Sequence, residues 1–185
     1  GGLRAEWHVP EGLSGAPEEQ RTILYFHGGG YVIGSPVSHR HITGRLALDA
    51  KARILSVDYA LAPEHPFPAA VNDGLKAYRW LLDKGHAPQR IAIAGDSAGG
   101  GLTLATLLAA RNEGLPMPAA ASLISPWSDL TCATGSYETR ADADPMITPE
   151  GIRELAATYL AGADARNPLA SPNHADLRGL PPMLV

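Results

Sequence analysis

Residues 90–100 read Arg-Ile-Ala-Ile-Ala-Gly-Asp-Ser-Ala-Gly-Gly, and the reading of this stretch governs the rest of the chain. Arg90–Ala94 is a short apolar run with its single charge at one end, the composition of a strand buried on both faces. Ala98–Glu113 is apolar nearly all round and closes at Gly114, which predicts a buried helix. Between them, Gly95-Asp96-Ser97-Ala98-Gly99 fits G-x-S-x-G on a strand-to-helix turn. A serine presented on so sharp a turn needs neighbours without bulky side chains, so that Oγ clears the backbone. The helix behind it offers free N–H groups and the positive end of its dipole to an anion formed beside the serine. Ser97 is therefore the candidate nucleophile. The plainer alternative is a glycine-rich turn that only packs helix on strand.

Outward from this motif, strand-like and helix-like segments alternate, as in a parallel sheet covered by helices. Arg21–His27 (RTILYFH), Ala52–Tyr59 (ARILSVDY) and Ala119–Ser125 (AAASLIS) read as further strands buried on both faces, and a strand-like segment follows Gly1-Gly2. Val71, Leu75, Tyr78 and Leu82 mark a helix between Pro68 and Gly85, and Ser38–Lys51 a second. Residues 129–165 break the rhythm. They are turn-rich and then form one helix, with Thr148 as N-cap, Pro149 as first residue and Ile152, Leu155, Ala156 and Tyr159 as buried stripe. About 35 residues is long for a plain crossover, so this stretch is expected to be an inserted cap or lid. Pro181–Val185 (PPMLV) looks like the first half of another buried strand. The expected fold is thus a single α/β domain over 1–185, incomplete at both ends.

Composition narrows the function. Fifteen basic and nineteen acidic residues give a net charge of −4 without any Lys/Arg run, which argues against a nucleic-acid groove. No apolar run approaches the roughly 18 residues that span a bilayer, so no stable membrane insertion is expected. The single Cys132 excludes an internal disulfide and a cysteine-based zinc cluster. Twenty glycines and sixteen prolines point to many tailored loops. The chain does not begin with Met, so the missing signal peptide says little; the cytoplasm is the expected compartment.

One of those loops is His27-Gly28-Gly29-Gly30-Tyr31, directly after the first long strand. Consecutive glycines let backbone N–H groups approach a ligand oxygen, and beside a nucleophile elbow such a loop serves as an oxyanion hole. Phosphate binding is the rival reading, but neither G-x-G-x-x-G nor a Walker A sequence occurs. His27–Gly30 (HGGG), Asp58–Glu64 with Pro66–Ala69 (DYALAPE.PFPA), Gly95–Gly100 (GDSAGG) and Ser125–Leu130 (SPWSDL) follow one another in order. Together they resemble the hormone-sensitive-lipase-like branch of the α/β-hydrolases, microbial carboxylesterases in particular. The resemblance implies an α/β-hydrolase fold with a mostly parallel central sheet, Ser97 as nucleophile, and the N–H groups of Gly29, Gly30 and Ala98 as oxyanion hole. His27 and Gly28 would support the loop. Ala60 departs from the family, which usually carries Arg there.

An activated serine needs a general base, and the base an orienting carboxylate. In α/β-hydrolases the order is Ser, then Asp or Glu, then His. The only histidine after Ser97 is His174, just before the final strand, and the family pattern puts both acid and base beyond Val185. His8, His39, His41, His65 and His86 precede the nucleophile with no evident carboxylate partner, and read as surface or loop residues. Asp129 should hold its own turn through side-chain-to-backbone bonds, and Asp96 should point away from Oγ. Without its base a serine hydrolase loses around 10⁶ in kcat, so these residues alone should be nearly inactive.

The resemblance implies an ester of a short or medium acyl chain, no cofactor and no metal. Tyr31, Met146 and Tyr159 are candidate pocket walls, with core packing as the alternative for each, while Trp127 should pack beneath a strand end. Asp142–Asp144 on the lid favours a soluble substrate over a lipid interface. The expected partner is a small-molecule ester, with a homodimer as the assembly to test. Two other readings stay open: a non-catalytic binding module, as in the plant gibberellin receptor that resembles this family, and acyl transfer to an alcohol or amine other than water.

Overall fold

The computed structural model describes residues 2–185. In it the apolar runs become β1 (Arg4–His8), β2 (Thr22–Phe26), β3 (Arg53–Asp58), β4 (Ile91–Asp96), β5 (Ala120–Ile124) and β6 (Met183–Leu184). The helices are α1 (Arg40–Ala50), α2 (Ala69–Asp83), α3 (Ala98–Asn112), α4 (Ser136–Thr139) and α5 (Pro149–Leu160). The strands form one sheet in the order β1-β3-β2-β4-β5-β6. β1 runs antiparallel to β3, and every other neighbouring pair is parallel.

Strand alternation sorts the core into two layers. Leu24 and Phe26 of β2 face the larger cluster with Leu55, Val57 and Ile93, against the buried sides of α2 and α3. Tyr25 faces the other way, with Ile54, Ala94 and Ala47 of α1. α3 is buried along Ala98–Ala110, as an apolar helix without a polar face must be. α1 buries only Thr43 and Ala47, and its side of the sheet carries the smaller core.

The strand order positions the site. From β2 the chain crosses to β3 on one side, then returns to β4 on the other side of β2, with Phe26 opposite Gly95. Ligands of open α/β sheets bind outside the carboxyl ends of the strands where the order reverses in this way. The His27–Tyr31 loop and the Ser97 turn leave the sheet side by side at that point. Gly99, in the first turn of α3, lets helix and sheet meet: a methyl group there would collide with the carbonyl oxygen of Phe26.

Two expectations about the strands are corrected. β5 alternates between buried and more exposed residues and ends in the exposed Ile124, so it is not covered on both faces. The 181–185 segment does add a parallel strand to β5, but Met183, Leu184 and Val185 are exposed, because β6 is the last strand of the sheet among the described residues. Within 129–165, Thr148 caps α5 by accepting a hydrogen bond from the Gly151 N–H at 3.1 Å, and Ile152, Ala156, Tyr159 and Leu160 are buried. Leu155, expected in that stripe, is only half-buried. No helix among the described residues is long and apolar enough to cross a membrane.

Candidate active site

Ser97 sits between β4 and α3 with φ +51° and ψ −118°, a left-handed conformation rare for a residue with a side chain. Backbone bonds hold it there. Its N–H donates to the Ile124 carbonyl at 2.9 Å, and its carbonyl accepts from the Trp127 N–H at 2.8 Å and the Gly101 N–H at 3.1 Å. The end of β5 therefore clamps the turn. The residue is half-buried, and its hydroxyl makes no hydrogen bond among the described residues.

The glycine loop is built by the same kind of local bonding. Gly29 (φ +122°), Gly30 (φ +62°) and Tyr31 (φ +64°) take successive positive φ values, which only a glycine-rich stretch adopts without large strain. The Gly29 carbonyl accepts from the N–H groups of Val32 and Ile33, both at 3.0 Å, closing the turn. Among the described residues the N–H groups of Gly29, Gly30 and Ala98 find no acceptor, whereas that of Gly28 donates to Asp96 Oδ1 at 3.0 Å. Three free donors thus flank the reversal point, and the fourth amide is used internally.

His27 anchors the start of the loop. Its ring is fully buried and stacked on Tyr59, with centroids 4.3 Å apart, and Tyr59 Oη donates to the His27 carbonyl at 2.7 Å. Its Nδ1 lies 2.7 Å from the Gly28 carbonyl, which can only accept, so the proton sits on Nδ1. Burial holds this imidazole below its usual pKa of 6.5, against the opposing pull of the Gly28 bond, and it is neutral at pH 7.

Of the three candidate pocket residues, two pack into the core and the third is exposed. Tyr31 and Tyr159 are buried and stack face to face, centroids 3.9 Å apart at 8°, in the core alternative weighed for them. Met146 stands exposed on the loop before α5. Trp127 is buried against Tyr31, as expected beneath a strand end. Leu155, in contrast, reaches the loop: a methyl group on Gly30 would lie 2.8 Å from its Cδ1. Ala60 uses its N–H on Asp73 at 3.0 Å.

Several histidines find partners that the sequence order hides. His39 Nε2 lies 3.4 Å from Asp96 Oδ2, and His8 lies 4.0 Å from Glu6, so the expectation of unpaired histidines fails for both. His86 is buried with its Nδ1 3.1 Å from Thr22 Oγ1, rather than on the surface. His39 and Asp96, and His86 and Thr22, are distant in the chain and meet only in the fold, whereas Glu6 and His8 sit two residues apart on β1. Asp129 accepts from the Thr131 N–H at 2.9 Å and its hydroxyl at 2.6 Å, and also faces His174 Nε2 at 3.3 Å. Burial opposes its ionisation, but the bonds from Thr131 and His174 outweigh that and hold its carboxyl below the usual range. Among the described residues no three His, Cys, Asp or Glu side chains gather as metal ligands.

Residues 23–185 match the family described as the alpha/beta hydrolase fold. The chain belongs to that family. Against this α/β-hydrolase, an acetyl-hydrolase of Streptomyces hygroscopicus is 50% identical, aligned over all of the chain and 60% of its own length. Among solved structures, an esterase/lipase from an uncultured bacterium superposes with a TM-score of 0.92 at 56% identity, covering 98% of this chain and 59% of its own. An esterase from the bacterial hormone-sensitive lipase family superposes with a TM-score of 0.93 at 49% identity, covering 98% and 60%. This α/β-hydrolase chain therefore spans about 60% of the length of these relatives.

Proposed function

We propose that this chain carries the nucleophile and oxyanion hole of a carboxylic ester hydrolase. The supporting observation is the juxtaposition at the sheet's reversal point: a strained, half-buried Ser97 beside a glycine loop with unused amides. Ser97 Oγ attacks the ester carbonyl carbon, and the carbonyl oxygen, now an anion, accepts hydrogen bonds from the N–H groups of Gly29, Gly30 and Ala98. Collapse of this intermediate breaks the ester C–O bond and leaves an acyl-serine, while the alcohol departs with a proton. Water then repeats the attack and frees the acid. Donors fixed before charge develops are each worth about 10²–10³ in kcat. The base that takes the Ser97 proton is not assigned to any histidine described above, because none of them hydrogen-bonds the Ser97 hydroxyl.

A short acyl chain is the proposed substrate class, supported by the 50% identical acetyl-hydrolase and by Leu155 packing against Gly30. The decisive test is a fluorophosphonate probe on the full-length protein. Stoichiometric labelling at Ser97, lost in Ser97→Ala together with about 10⁶ in kcat, is the expected result. A folded protein that binds esters but neither labels nor turns them over refutes hydrolysis and leaves the binding-module reading.

A further inference from the structure

Asp96 meets more of the site than its position beside the serine suggests. Its Oδ1 accepts from Tyr25 Oη at 2.8 Å and from the Gly28 N–H at 3.0 Å. Its Oδ2 faces His39 Nε2 at 3.4 Å. Gly28 is pressed so closely to it that a methyl group there would collide with Oδ2. The tyrosine is held as a donor, because burial and then the Asp96 charge push its pKa well up. His39 follows the loop, and it is braced in turn by Ser38 Oγ at 2.9 Å from its Nδ1, where Ser38 Oγ also accepts from the Ser35 N–H at 3.0 Å.

The geometry points to Asp96 as the positioning residue of the glycine loop, holding its start through Gly28 and its far end through His39. This rests on the ester-hydrolase reading and adds to it a source of precision. Because Asp96 is covalently next to Ser97, one peptide unit fixes both the nucleophile and the amides that must receive the oxyanion. By taking the Gly28 N–H out of play, the carboxylate also determines that the loop's free donors are the next two amides. A displacement of about 1 Å in such donors is enough to cost on the order of 10² in rate.

The test combines amide hydrogen exchange with steady-state kinetics on the full-length protein. In Asp96→Ala, exchange at the bonded amides of Gly28, Val32 and Ile33 should speed up at least tenfold, and kcat should fall about 100-fold with KM within threefold. Asp96→Asn keeps an acceptor at Oδ1 and should recover most of both losses. Unchanged exchange in Asp96→Ala, an unchanged kcat, or an Asn variant as impaired as Ala overturns the assignment. If Asp96→Ala does not fold, His39→Phe carries the test: faster exchange at 35–39 with Gly28 still protected supports the clamp, and unchanged exchange refutes it. A wild-type protein without turnover sinks the hydrolase reading, while the exchange result still decides whether Asp96 holds the loop.

Discussion

The backbone at Ser97 is the costliest single conformation at the site. A non-glycine residue in the left-handed region stores about 1–3 kcal/mol, and three backbone bonds to Ile124, Trp127 and Gly101 keep it there. Ser97→Ala removes the hydroxyl but retains a Cβ in that conformation, whereas Ser97→Gly releases the strain at the expense of a more flexible unfolded chain. The net expectation is that Ser97→Gly is more stable than Ser97→Ala by roughly 1 kcal/mol. Urea unfolding of the two variants checks this, and equal midpoints would show that the turn is not strained.

Among the elements, α5 carries the link between the 129–165 stretch and the glycine loop. Tyr159 stacks on Tyr31, the Phe67 N–H donates to the Tyr159 carbonyl at 2.8 Å, and Leu155 abuts Gly30. The helix begins at a single side-chain cap, so Thr148→Ala should cost about 1 kcal/mol and raise amide exchange first in residues 150–153, above all at Gly151. An unaffected exchange pattern would mean that tertiary packing alone fixes that end. The cap was legible in the sequence because Thr-Pro followed by a 3–4 spaced apolar stripe is a local signal. β2, β3, β4 and α3 were legible for the same reason: continuous apolar runs and a glycine-bounded turn report on their own surroundings. The exposure of Ile124 at the end of β5 was not, since an apolar run does not reveal which of its residues a neighbour covers. Nor was the Asp96 cluster, which joins Tyr25, Gly28 and His39 through strand register and loop return rather than through spacing. The Tyr31 and Tyr159 rings show the same limit, because an aromatic beside a glycine loop reads alike whether it lines a pocket or fills the core.

For the whole molecule, two buried imidazoles set a pH limit. His27 is held below its usual pKa of 6.5 by burial, and His86 by burial and then by the Arg53 charge. Both are neutral in the fold, while the unfolded chain takes up protons near pH 6.5, so stability is complete above that pH and falls as the pH drops below it. Urea midpoints measured from pH 7.5 to 5.0 should therefore decline, above the range where carboxylates titrate. His86→Gln should shrink the decline; a flat profile in the parent protein would show that neither ring is destabilised by its proton.

The bond from the Ser97 amide to Ile124 has a mechanical consequence. It runs from the last residue of β5, a strand paired with β4 on one side and β6 on the other, straight to the proposed nucleophile. Anything that displaces the end of β5 by a few tenths of an ångström moves the proposed nucleophile with it, so strand and chemistry are joined by a single length of rigid backbone.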